Sequence, residues 1–178
     1  MTVLTRNPET TDLLQPTKYL LTFDRIPTVQ YFCQEANLPD ISIGQAEYAT
    51  PILNLNFPGT KITYSSFDIS FIVDESLSGW NELYKWFRSI ASPETTDERK
   101  ELSELQKMYA QKNRKYKFQS DGHLTLLTNL NNINVRIQFF NMFPTSLSGI
   151  SFDTKLSAED VITCRASFTY DYFNIEPL

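Results

Sequence analysis

The stretch Phe67–Ile90, FDISFIVDESLSGWNELYKWFRSI, changes period halfway, and the rest of the chain is read outward from that change. Phe67, Ile69, Phe71 and Val73 occupy alternate positions, the period of a strand with one face on a core. Ile62 and Tyr64 extend the run upstream. The phase slips at Ser65-Ser66, which predicts a bulge within one long strand. From Ser78 onward, Trp80, Leu83, Tyr84, Phe87 and Ile90 recur at helical spacing. Ser78 reads as the N-cap, Asp74-Glu75 as the lead-in, and Pro93 as the stop. The aromatic stripe reads as core packing, with the helix laid across the face or mouth of a sheet.

Upstream, KYLLTFD from Lys18 reads as a strand, RIPT as a turn and VQYFCQEA as a second strand, giving an early hairpin closed by Leu38-Pro39. Residues 40–61 are less regular. Ile41 and Ile43, and further on Ile52 or Leu53, Leu55 and Phe57, alternate with polar residues, while Pro51 and Pro58-Gly59 interrupt. This reads as a long loop or a protruding hairpin, and loops of that length in small domains usually serve function or are disordered. Residues 1–16 are polar with two prolines and read as an N-terminal arm. Residues 93–117, acids first and bases after, read as a charged helical insertion.

Downstream, HLTLLTNL and INVRIQFFNMF flank Asn131-Asn132 as a hairpin, with Ile133, Val135, Ile137 and Phe139 alternating. Pro144 reads as the end of a strand, LSGISFD as a short strand and VITCRASFTYDYFNI as one long final strand. The outcome is a mainly β chain: an antiparallel barrel or sandwich with a flanking helix, in a single domain over 17–178.

Composition narrows the function. The chain has 178 residues, 41% of them apolar and 13% aromatic, enough for one packed core. A net charge of −5 disfavours general nucleic-acid binding. The N-terminus lacks the apolar centre of a signal peptide, and no run has the length of a membrane span. A soluble protein with no membrane partner is expected, with Cys33 and Cys164 as free buried thiols.

The search for chemistry finds no constellation. His123 is the only histidine, and a metal site or a serine triad would need partners that are absent. Ser146-Leu147-Ser148-Gly149 is not a nucleophile elbow. Asn56-Phe57-Pro58-Gly59-Thr60-Lys61 lacks the glycine spacing and the following helix of a phosphate loop. No catalytic residue, cofactor or metal is expected, which favours a structural or binding role.

The order of residues carries a resemblance. Tyr31-Phe32-Cys33, Ala36 and Leu38-Pro39 are followed by Pro58-Gly59, Thr63-Tyr64, Phe67-Asp68-Ile69-Ser70-Phe71, Asp74-Glu75, Trp80 and Trp86. Phe143-Pro144-Thr145, Gly149-Ile150, Phe152-Asp153 and the strand Phe168-Thr169-Tyr170-Asp171-Tyr172 complete the pattern. Over roughly residues 18–175 it resembles the tail-tube proteins of contractile-tailed bacteriophages. That resemblance implies a tail-tube β-barrel whose subunits join as stacked homo-hexameric rings of the virion tail, made in the host cytoplasm. It implies sheath or baseplate partners, and phage DNA that passes through without tight binding.

A tube-initiator or baseplate or tail-end ring of the same fold is the alternative, since the arm and the insertion depart from a plain tube subunit. A monomeric β-barrel that binds an apolar ligand is a further one. Ile43, Ile52, Leu55 and Phe57 are the candidates for contacts between subunits or stacked rings. Asp68, Gln138 and Asp171 are the candidates for the lumen, expected to be neutral or acidic so as not to hold phosphate. The arm and the insertion are expected outside or at the ring's ends.

Overall fold

The computed structural model describes residues 12–91, 118–155, 157 and 161–177. The elements run β1 (Tyr19–Phe23), α1 (Pro27–Phe32), β2 (Cys33–Ala36), β3 (Ile41–Ala49), β4 (Asn54–Tyr64), β5 (Phe67–Ile72), α2 (Ser78–Ile90), β6 (Ser120–Leu127), β7 (Ile133–Leu147), β8 (Thr163–Thr169) and β9 (Tyr172–Pro177). The main sheet is antiparallel, in the order β1-β6-β7-β8-β5-β2, with β9 also on β7. β3 and β4 form a separate ribbon. The segment 93–117 and most of the arm lie outside the described residues.

Alternation along the strands builds the core in rows. Leu21, Leu124 and Ile137 stand opposite one another across β1, β6 and β7, and Phe23, Gly122 and Phe139 form the next row. On β5 and β8, Phe67 faces Phe168, Ile69 faces Ala166, and Phe71 faces Cys164. The two halves of the sheet fold over each other so that these rows meet. Phe67 and Phe139 have ring centroids 4.7 Å apart, and Phe168 packs against both Phe23 at 5.3 Å and Trp86 at 5.9 Å. Gly122 makes room for this packing: a Cβ there would sit 3.2 Å from the Phe23 ring.

The sheet curls but does not close, so the expected barrel is corrected to an open one. Among the described residues no ladder joins edge strands β1 and β2. Side chains meet at the seam instead. Tyr19 on β1 and Cys33 on β2 come close there, and burial, with Cys33 adding to it, pushes the Tyr19 phenol up to about 12. Burial likewise raises the Cys33 thiol. Cys33 and Cys164 both stand opposite Phe71, one on each side of β5. Two strand spacings, about 10 Å, then separate them, beyond disulfide reach. Both are free; Cys164 is buried and Cys33 only half-buried.

Several expectations change. VQYFCQEA is not one strand: Pro27 starts a short helix, and the Glu82 carboxylate fixes it by accepting from Thr28 N at 3.2 Å and Thr28 Oγ1 at 2.7 Å. No early hairpin forms, because β1 pairs with β6 and β2 with β5. Ser65-Ser66 is not a bulge but the break between the ribbon and the main sheet.

Ser78 does not cap α2. Leu77 holds the cap position at φ 56°, and Asp74 accepts from Ser78 N at 3.1 Å and Gly79 N at 3.3 Å. The inward face of α2 is Gly79, Leu83, Trp86 and Ser89, rotated from the expected stripe, so that Tyr84 faces out.

Pro144 does not end a strand. β7 runs through it to Leu147, with a register shift just beyond Pro144 and only β8 paired to that half. An edge position of this kind tolerates a residue without an N–H. LSGISFD then has no strand after Leu147. The final strand is bent at Tyr170-Asp171 into β8 and β9, but the register against β7 carries through the bend as far as Pro144. Phe143 faces Thr169, and Phe140 faces Tyr172.

Candidate functional site

The β3–β4 ribbon is the part of the molecule whose burial fails to match its sequence. Every residue of β3 is exposed, as is nearly all of β4. In its outer half Ala46 faces Phe57 and Tyr48 faces Leu55, while Gln45 faces Pro58, Glu47 faces Asn56 and Ala49 faces Asn54. Opposed residues share a face and neighbours alternate. One face is therefore Ala46, Tyr48, Leu55 and Phe57, and the other is mostly polar. In the inner half Ile41, Ile43, Ile62 and Tyr64 share a face, with Ser42 and Thr63 behind them.

Between the halves the register slips at Gly44 and Gly59, where the two backbones nearly touch: a Cβ on Gly59 would lie 2.4 Å from the Gly44 carbonyl oxygen. At the tip, Thr50 and Leu53 exchange hydrogen bonds around Pro51 and Ile52.

Of the residues singled out in the sequence, Leu55 and Phe57 share the outer apolar face, at 43% and 55% exposure. Ile43 lies on the inner apolar face at 57%, and Ile52 projects from the tip at 98%. A two-stranded ribbon with bare apolar faces gains little stability by itself. Sequence reasoning missed Tyr48 and Ile62, which complete these faces at 63% and 53%. Tyr48's alternation with Ala46 was the available signal, hidden while residues 40–61 were read as irregular; Ile62 was read instead, with Tyr64, as the upstream end of the core strand.

The ribbon joins the body at its base. Asp40 N donates to Ser65 Oγ at 2.8 Å, and Ser65 N donates to Asp40 O at 3.0 Å. The Tyr170 hydroxyl donates to Ser65 O at 3.1 Å. Tyr64 packs its ring against Tyr170 at 5.8 Å and Phe173 at 5.4 Å.

The three lumen candidates do not form one face. Asp68 stands opposite Ser167 on the outward side of β5, beside a polar recess lined by Glu35, Asn37, Ser70 and Arg165. Gln138 stands on the outward side of β7 in the row Thr22, His123, Gln138, Asn174. Asp171 lies exposed in the bend between β8 and β9 and accepts from Asn141. Among the described residues no cluster of three or more His, Cys, Asp or Glu could hold a metal, and no helix is long and apolar enough to cross a membrane.

An open antiparallel sheet, a flanking helix and a projecting apolar ribbon form a subunit with surfaces to fill, and the family comparison matches it. The model of the phage tail tube protein family covers residues 9–176. The chain belongs to the phage tail tube protein family. It is a structural component of the phage tail in the virion, not an enzyme.

It is 24% identical over 148 residues to the tail tube terminator protein of Enterobacteria phage T4, covering 80% of this chain and 76% of the relative. Two solved structures share the fold. The tube-terminating cap of the anti-feeding prophage matches with a TM-score of 0.62 at 17% identity, covering 100% of each chain. The sheath/tube terminator of the extracellular contractile injection system PVC matches at 0.59 and 19%, covering 94% of this chain and 99% of the other.

Proposed function

We propose that this chain forms the ring that ends a phage tail tube, a homo-hexamer seated on the last tube ring. The observation that carries this reading is the similarity to the phage T4 tube terminator over most of the chain. The sequence put the tube subunit first and a tail-end ring second; the relatives favour the tail-end ring. The ribbon supports a ring of either kind. Ile43, Ile52, Leu55 and Phe57, joined by Tyr48 and Ile62, lie bare in a single subunit, and a second protein surface is what relieves such exposure. A head-to-tail contact that repeats around an axis closes a ring, and the open strand edges offer further backbone pairing.

In this reading the ring touches the sheath and the last tube ring, and DNA passes its bore without tight binding. Asp68, Gln138 and Asp171 remain the bore candidates. Because they face different ways, one bore lined by one sheet face would take Asp68 or Gln138 and not both.

The test is a capping assay. Tubes of the partner phage's tube protein grow in solution, and the purified chain is added below stoichiometry. Growth should stop, with one extra ring at a tube end in negative-stain images. Incorporation along the whole tube length would instead make the chain the tube subunit, and a persistent 20.6 kDa monomer that leaves growth unaffected would overturn both readings.

A further inference from the structure

We propose that the Tyr170 hydroxyl is a latch that sets the angle of the β3–β4 ribbon, so that Tyr170 is a positioning residue for ring contacts. The inference rests on the ribbon being an assembly surface. It goes further by naming the residue, outside the ribbon, that aims it.

Ser65 is the node. It is the second residue of the pair at the ribbon's root, and its three backbone and side-chain polar groups are all used. Its N and Oγ bind Asp40 on the other strand of the root, so these two bonds hold the ribbon to itself. Its carbonyl accepts from Tyr170, and this bond holds the ribbon to the body. On either side of the root the backbone is next tied at Phe67, paired with Phe168, and at Asn37, whose N donates to Asp68 O at 3.2 Å; neither bond engages Asp40 or Ser65. Around the latch, Tyr64, Tyr170, Phe173 and Phe139 form an aromatic cluster with centroid separations of 5.1 to 6.2 Å. Rings in contact resist separation but permit sliding and tilting; one hydroxyl aimed at one carbonyl does not.

Tyr170 is also well placed to report on the sheet, because it sits at the bend between β8 and β9. The ribbon angle is thereby tied to the bent strand pair as well as to the root. Burial, with Tyr64 adding to it, lifts the Tyr170 phenol to about 12, so it remains a donor throughout the range in which a virion works.

A ribbon that must dock in one orientation binds more weakly in proportion to the time it spends elsewhere. If loss of the latch leaves it aimed correctly about a tenth of the time, docking weakens about tenfold. The experiment measures angle and assembly separately, in the full chain. Nitroxide labels on Ile52→Cys at the tip and Lys85→Cys on α2, in a Cys33→Ser background, report the tip-to-body distance by pulsed electron resonance at concentrations where the chain is monomeric. Tyr170→Phe keeps the aromatic ring and removes only the donor. It should broaden a single narrow distance distribution, and the unlabelled Tyr170→Phe chain should need about tenfold more protein to form rings.

Ser65→Ala releases Asp40 N but keeps the carbonyl that Tyr170 holds, so it should leave the distribution narrow; broadening there as large as in Tyr170→Phe would assign the angle to the root and overturn the latch. A distribution as narrow as the parent's in Tyr170→Phe overturns the latch. So does broadening without any loss of ring formation, in a chain whose Phe57→Asp variant does lose rings. Phe57→Asp forming rings normally would overturn the ribbon interface itself, and the latch's role in assembly with it.

Discussion

Asn141 donates from Nδ2 to Asp171 Oδ2 at 2.6 Å, and this bond joins the bend of β7 to the bend between β8 and β9. The two strands turn together because they share a register on either side of it. Asn141 itself has φ 56°, in the left-handed region that asparagine tolerates better than most residues. Its N–H donates to Asp121 Oδ1 at 3.1 Å, and Asp171 N donates to Phe140 O at 3.1 Å.

Asn141→Ala removes the side-chain bond and leaves a Cβ-bearing residue without local compensation at positive φ. A loss of about 1–3 kcal/mol in the urea unfolding free energy is expected. Asn141→Gly should lose less, since it keeps the backbone conformation. Equal losses for the two would mean that strain plays no part.

Gly59→Ala should act locally. The new Cβ would collide with the Gly44 carbonyl, and backbone cannot yield as a side-chain tip does. The ribbon should lose its register while the core, which it hardly touches, unfolds at nearly the parent's midpoint. Hydrogen exchange would show faster amides in β3 and β4 alone. Spread of that loss into β6 or β7 would count against an independent ribbon.

Much of the core was legible because its rows obey a simple period. Phe67, Ile69 and Phe71, and likewise Ile137 and Phe139, are buried as their alternation requires. Long-range pairing was not legible. KYLLTFD looked toward its sequence neighbour, yet β1 pairs with β6 about a hundred residues away. Nothing in a local pattern distinguishes those partners. Trp86 was left out of the apolar stripe because the helix was oriented by Trp80, Tyr84 and Phe87, whereas packing against Phe168 selected another face. At the ribbon, the apolar positions Ile43, Leu55 and Phe57 were visible, but their arrangement on faces depends on the slip at Gly44 and Gly59.

Trp86→Ala should be among the costliest single changes. The side chain is 1% exposed, lies under the Arg25 guanidinium at 5.0 Å and donates from Nε1 to Phe118 O at 2.9 Å. Burial also lowers Arg25 to about 10, the mark of a cation enclosed by the core's edge. Truncation should cost about 3–5 kcal/mol, a large part of a typical domain's stability. Trp86→Phe should recover part of it. A loss below about 1 kcal/mol for alanine, in denaturant titration, would show that the cavity collapses without penalty.

Asp74 gives the fold an acid limit. Hydrogen bonds from Ser76, then from the Ser78 and Gly79 amides at the start of α2, hold its carboxyl well below the usual range, outweighing partial desolvation. A carboxylate whose folded pKa is depressed contributes its stability in full above its unfolded pKa, near 3.9, and loses it as pH falls toward the folded value. The stability gap between the parent and Asp74→Asn should be widest at pH 6 and narrow steadily below about pH 4. A gap unchanged from pH 6 to pH 2 would remove Asp74 from the acid response.

β8 and β9 hold one register against β7 through the bend, from Val135 to Pro144, and this has a mechanical consequence. Tension applied along that pair is carried in shear, by many backbone bonds at once, across both halves of the subunit. The gap between β1 and β2 has no such ladder among the described residues; there Tyr19 and Cys33 only approach each other. Under load the molecule therefore has a stiff spine and a soft hem. In a single-molecule pulling experiment the hem should yield at low force and the spine last. A subunit built this way can strain at one edge without losing its core.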